Sequence, residues 1–67
     1  MMFTIVIGTG NDAFNPVKEI EIARILRKCV GYLEAKAEFG DGGSYEFSLM
    51  DINGNKVGIM SMKEVVS

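Results

Sequence analysis

The sequence predicts an α+β domain with the order strand, helix, strand, strand, in which one long helix packs on one face of a three-stranded antiparallel sheet ordered two, three, one. Three observations predict it. Apolar residues recur with helical period between Asn15 and Gly40, residues Met2 to Gly8 alternate, and two more alternating runs, Tyr45 to Asp51 and Lys56 to Met62, flank an Asn53-Gly54 turn.

The first strand places Phe3, Ile5 and Ile7 on one side and Met2, Thr4 and Val6 on the other. Gly8, Thr9, Gly10, Asn11, Asp12 and Ala13 follow, spelling G-x-G-x-x-A between a strand and a helix, the pattern of a dinucleotide-binding turn. That turn needs its glycines in the first turn of the helix and a second parallel unit beyond it. Here the helix is expected to begin at Pro16, and 67 residues leave no room for such a unit, so these residues read as a loop.

Asn15 suits an N-cap, because its side-chain oxygen can accept a bond from a first-turn N–H, and Pro16 follows where its missing N–H costs nothing. At about 100° per residue, Ile22, Ile25, Leu26, Cys29, Val30, Leu33 and Ala37 share one arc, flanked by Ala23 and Tyr32. That arc is the expected core face. Glu21, Arg24, Arg27, Lys28, Glu34 and Glu38 fall on the solvent side, and Gly40 supplies the left-handed residue that ends many helices. Val17 and Ile20 point toward the charged side, either packing on the incoming loop or lying exposed.

Phe39 to Ser44 carries three glycines and reads as a flexible connector. For the hairpin beyond it, a two-residue Asn53-Gly54 turn would send Val57 and Ile59 away from Tyr45, Phe47 and Leu49. A type I turn over Ile52 and Asn53, with Gly54 left-handed, instead pairs Asp51 with Asn55, Leu49 with Val57 and Phe47 with Ile59, gathering the apolar residues on one face. The three-residue loop is the expected one. A right-handed crossover makes strand one parallel to strand two, so strand three belongs in the middle. The helix, roughly 35 Å long, overhangs strands of about 23 Å.

At 67 residues the chain is a single domain, 1–67, with 48% apolar and 24% charged residues, a globular composition rather than a disordered one. A core this small is commonly supplemented by a disulfide, a metal or a partner subunit. One cysteine cannot pair within the chain and histidine is absent, so neither an internal disulfide nor a Cys/His zinc site is expected, and dimerisation remains. No cofactor or metal is predicted. Cys29, on the apolar arc, reads as a small buried thiol. A net charge of −2 fits neither a polyanion binder nor a DNA mimic. No apolar run approaches 18 residues and Met1 to Gly10 lacks a secretory pattern, which predicts a soluble cytoplasmic protein.

One helix leaves one sheet face open. That face is expected to carry Met2, Thr4, Val6, Glu46, Ser48, Met50, Gly58, Met60 and Met62, a methionine-rich patch of the kind that binds proteins. Met2, Val6, Glu46, Met50, Met60 and Met62 are the candidate partner-binding residues, for a protein partner or a homodimer, unless the Lys63 to Ser67 tail covers them. An unpaired edge of strand one or strand two is a second route to a homodimer. Val17, Ile20, Arg24, Arg27 and Lys28 form a secondary surface. Its basic residues give the alternative reading, a nucleic-acid-binding accessory protein, although Glu19, Glu21, Glu34 and Glu38 are interleaved with them. Without histidine or a confined carboxylate pair, no catalytic site is expected.

Asn11-Asp12-Ala13-Phe14, the Ala23-Arg24-Ile25-Leu26 helix and Asp51-Ile52-Asn53-Gly54-Asn55-Lys56-Val57-Gly58 together resemble short uncharacterised proteins of bacteriophages and prophages, over nearly the whole chain. The resemblance implies a small phage accessory protein that docks on a host complex, as anti-CRISPR inhibitors do on CRISPR effectors. It implies no activity and no functional residues.

Overall fold

Residues 1–39 and 43–64 are described by a computed structural model, in the order β1 (Met2–Ile7), a single 3-10 turn (Asp12–Phe14), α1 (Lys18–Phe39), β2 (Tyr45–Met50) and β3 (Lys56–Lys63). β3 lies between β1 and β2 and pairs antiparallel with both, so the α+β class, the strand order and the antiparallel sense are as expected. No helix among the described residues is long and apolar enough to cross a membrane. The expected Gly40 cap and most of the covering tail lie outside the described residues.

The helix starts later than Asn15 and Pro16 suggest. Asn15 is extended (φ −97°, ψ 148°), as a residue before proline prefers to be, and its N–H closes the 3-10 turn onto the Asp12 carbonyl at 3.0 Å. The Asn15–Pro16 peptide is cis, and α1 begins at Lys18. The 3-10 turn gives the loop a structural task. It drives Phe14 into the core, where the ring is fully buried.

Phe14, Ile25, Cys29, Leu49 and Met60 form the buried cluster, with Ile5, Ile7, Ile22, Leu33, Tyr45, Phe47 and Val57 packed around it. On α1 the buried face is turned toward β2 relative to the expected arc. Leu26 and Val30 are 39% and 52% exposed, Ala37 is exposed, and Glu21, placed with solvent by its charge, is 5% exposed. Two contacts hold that rotation. Tyr32 stacks on Phe47 of β2, centroids 4.9 Å apart and rings within 5° of parallel, and Arg24 reaches the Met50 carbonyl at 3.2 Å.

The β2–β3 turn is the expected three-residue loop: Gly54 N–H donates to Asp51 O at 3.0 Å, Asp51 N–H donates to Asn55 O at 2.9 Å, and Gly54 has φ +84°. The register beyond it differs. Met50 faces Lys56 but Leu49 faces Gly58, so Val57 is an extra residue, a β-bulge. Past that point every β3 side chain is one place out of the expected pairing: Phe47 opposes Met60 rather than Ile59, and Tyr45 opposes Met62. Val57 still packs on the core as expected, whereas Ile59 turns to the open face and Met60 becomes a core residue.

Gly58 explains why the bulge sits there. A Cβ at this position would overlap the Val6 carbonyl oxygen on β1, so only glycine lets β1 and the bulged stretch of β3 approach this closely.

Candidate protein-binding face

Alternation along the three strands, fixed by the pairings Thr4↔Ser61, Val6↔Ile59, Glu46↔Ser61 and Ser48↔Ile59, defines the face turned away from α1. β1 contributes Met2, Thr4 and Val6, β3 contributes Ile59, Ser61 and Lys63, and β2 contributes Glu46, Ser48 and Met50. Four of the expected partner-binding residues, Met2, Val6, Glu46 and Met50, are therefore together on this face. Met60 and Met62 are not. The bulge sends both to the helix side, where Met60 is fully buried and Met62 half-buried.

The face is thus less methionine-rich and more mixed than alternation through an unbulged strand implies. Its apolar part is Met2, Val6 and Met50, 55%, 67% and 43% exposed, with half-buried Ile59 between them. Four of the polar residues are paired with one another: Thr4 Oγ1 and Ser61 Oγ lie 2.7 Å apart, and Lys63 Nζ meets Glu46 Oε2 at 3.2 Å. A shallow groove of about 510 Å³ runs beside them, lined by Thr4, Val6, Lys56, Val57, Gly58, Ile59 and Ser61. It follows the bulge. Lys56 and Ile59 were missed as face residues, and the signal for them was Gly58, since a glycine inside a strand pattern marks a bulge or a close backbone approach.

A second polar constellation occupies the end of the molecule where the first loop, the start of α1 and the hairpin turn meet. Glu21 accepts two bonds from Arg24, from Nε at 2.7 Å and Nη2 at 2.8 Å, and a third from the Ile52 N–H at 2.8 Å. The Arg24 guanidinium holds the Glu21 carboxyl below its ordinary pKa of 4.5, and the carboxylate in turn raises that of Arg24. Asp51, 4% exposed, accepts from four donors: the Asn53 and Asn55 N–H groups at 2.9 Å, Asn11 Nδ2 at 2.9 Å and Asn55 Nδ2 at 3.3 Å. The Asn55 N–H contributes most to lowering its pKa below 3.8. No buried side-chain nitrogen or oxygen among the described residues is left without a partner.

This constellation is structural. The chain's own donors engage four acceptor positions of Asp51 and three of Glu21, and no group of three metal-ligating residues occurs among the described residues. It also absorbs the residues on which the phage-protein resemblance rests. Asn11 bonds Asp51, Phe14 fills the core, Arg24 bridges to the hairpin, Asn53 and Asn55 close the turn, and Gly58 admits β1.

Of the secondary surface, Val17 and Ile20 are exposed rather than packed on the loop. Arg24 is committed to Glu21 and the Met50 carbonyl, leaving exposed Arg27 and Lys28 about 100° apart around α1 instead of a three-residue basic cluster. No family model matches the chain, and no curated protein or solved structure matches it either.

Proposed function

We propose that the chain is a non-enzymatic protein-binding module that presents the open sheet face to a partner protein, in the manner of a phage accessory protein docking on a host complex. The observation that carries this reading is the exposure of Val6, Met2 and Met50 on a face where Thr4, Ser61, Glu46 and Lys63 are already paired with one another. Such a face gains from losing water at its apolar centre and sacrifices little hydrogen bonding in doing so. The groove along the bulge adds a concave feature for an apolar side chain of the partner.

The test is co-purification from the native host with tagged wild-type chain and with Val6→Glu, a substitution at an exposed strand position that leaves the core untouched. The wild type is expected to retain a host complex, with nucleoprotein assemblies the first to be examined, and Val6→Glu to lose it while keeping its circular dichroism spectrum. Equal recovery by both removes the open face as the docking surface.

A further inference from the structure

We infer that a second surface, the flank of α1 beside the free edge of β1, joins two copies of this chain about a two-fold axis normal to the sheet. It shares β1 with the open face but leaves β2 out, so a substitution on β2 tests the open face without touching this seam.

The two flanks of α1 are unlike. Toward β2 the helix spends Arg24, Tyr32 and Lys36 on the sheet: Arg24 on the Met50 carbonyl, Tyr32 on Phe47, and Lys36 with its ammonium 5.0 Å from the Tyr45 ring centre. On the opposite flank, away from β2, Leu26 and Val30 are exposed, and Phe3 of β1 is exposed too, at 39%. The strand edges differ in the same sense. β2 carries Glu46 and is flanked by those three helix residues, whereas β1 reads Met-Phe-Thr-Ile-Val-Ile, with no charge, proline or bulge to discourage pairing, and among the described residues it bonds only to β3.

The sequence of the flank commits the occupant to a second copy. Leu26, Val30 and Leu33 follow a three-four spacing that Ala23 and Ala37 continue at either end. The row is nearly palindromic about Val30. Laid antiparallel on itself, it sets Val30 against Val30, Leu26 against Leu33 and alanine against alanine. In the same register Arg27 of one copy lies by Glu34 of the other, twice, on the solvent side of the seam, which gives the self-pairing its charge complementarity. One two-fold axis satisfies both elements, because antiparallel helices and antiparallel β1 edges arise from the same rotation. The product is a six-stranded sheet with two antiparallel helices above it and Leu26 and Val30 of each copy covered between them.

Sedimentation equilibrium on the intact chain tests the inference. The wild type is expected to form a dimer of twice 7.3 kDa. Val30→Glu is expected to raise the dimer dissociation constant at least about 100-fold with an unchanged circular dichroism spectrum, and Met50→Glu, on the open face of the far strand β2, to leave it unaltered. Arg27→Glu should weaken association about tenfold, and Arg27→Glu combined with Glu34→Arg should restore it. A wild type that stays monomeric at every concentration, a dimer that survives Val30→Glu, or one that dissociates only with Met50→Glu overturns the proposal. Failure of the double charge exchange to restore association overturns the antiparallel register.

Discussion

The Ile52 N–H donates to the Glu21 carboxylate at 2.8 Å, which fastens the tip of the β2–β3 hairpin to the first turn of α1. Because the same carboxylate holds Arg24, replacing Glu21 by alanine leaves a backbone donor and a guanidinium without their acceptor. Glu21→Ala is expected to lower Tm by about 5–15 °C, and Glu19→Ala, an exposed neighbour on the same turn, by less than about 2 °C. Thermal melts of the two variants check this. Equal melts would show that the hairpin is not anchored through Glu21.

Stability should depend on pH through the same end of the molecule. Glu21 and Asp51 both have folded-state pKa values below their ordinary 4.5 and 3.8, held there first by Arg24 and by the Asn55 N–H respectively. A carboxylate depressed on folding contributes stability that is fully present above its unfolded pKa and is lost as pH falls through the folded one. Urea midpoints should therefore be level near neutrality and decline once pH drops below about 4.5. Asp51→Asn is expected to be less stable than wild type at pH 7 and to show a shallower acid decline. A parallel decline in the variant would remove Asp51 as a contributor.

The bulge makes Met60 and Met50 opposites in energy although both are β-strand methionines. Met60→Ala empties a fully buried site in contact with the core and is expected to cost about 2–4 kcal/mol in urea unfolding. Met50→Ala, on the open face, should cost within about 0.5 kcal/mol. Equal small costs for the two would restore the register without a bulge, in which both methionines share the open face.

Two glycines should be irreplaceable for different reasons. Gly58→Ala places a methyl group against the Val6 carbonyl and forces β1 away from β3, at a cost of about 3 kcal/mol. Gly54→Ala meets open space but must hold φ +84°, for about 1–2 kcal/mol. Denaturant titration of both variants measures the two costs, and amide exchange on β1 separates them, since only the Gly58 change should loosen that strand.

Burial pushes the Cys29 thiol pKa up and keeps the sulfur from solvent. Ellman's reagent at pH 8 should react with it only as fast as the domain opens, and promptly in concentrated urea. Rapid reaction of the native chain would place Cys29 outside the core.

The fold class, all three strands, the helix and the hairpin loop type were legible because each rests on a local signal, namely period, alternation or a turn glycine, and the strand order followed from crossover handedness and the preference for antiparallel neighbours. Three features were not. The start of α1 moved from Pro16 to Lys18 because Asn15 and Pro16 serve the preceding 3-10 turn, and Asn-Pro reads the same in either use. The buried status of Glu21 depends on Arg24 and on Ile52, thirty-one residues away, a partnership that helical periodicity cannot register. Met60 and Ile59 exchanged faces through a single extra residue, and a period of two has no tolerance for one. The open face survived that exchange in part, because the β1 and β2 residues assigned to it do not depend on β3.

Met2 is paired with Lys63, so the first strand of the chain finds its described partner only in the last. On a ribosome, β1 is made before β3 and waits on the order of 3–11 s, at 5–20 residues per second, while roughly fifty-six further residues are added before β3 is complete. The helix and the β2–β3 hairpin are local and can form in passing, but the sheet cannot be completed early. For that interval the uncharged β1 strand is the segment most in need of protection, and the sheet is finished only once β3 has emerged.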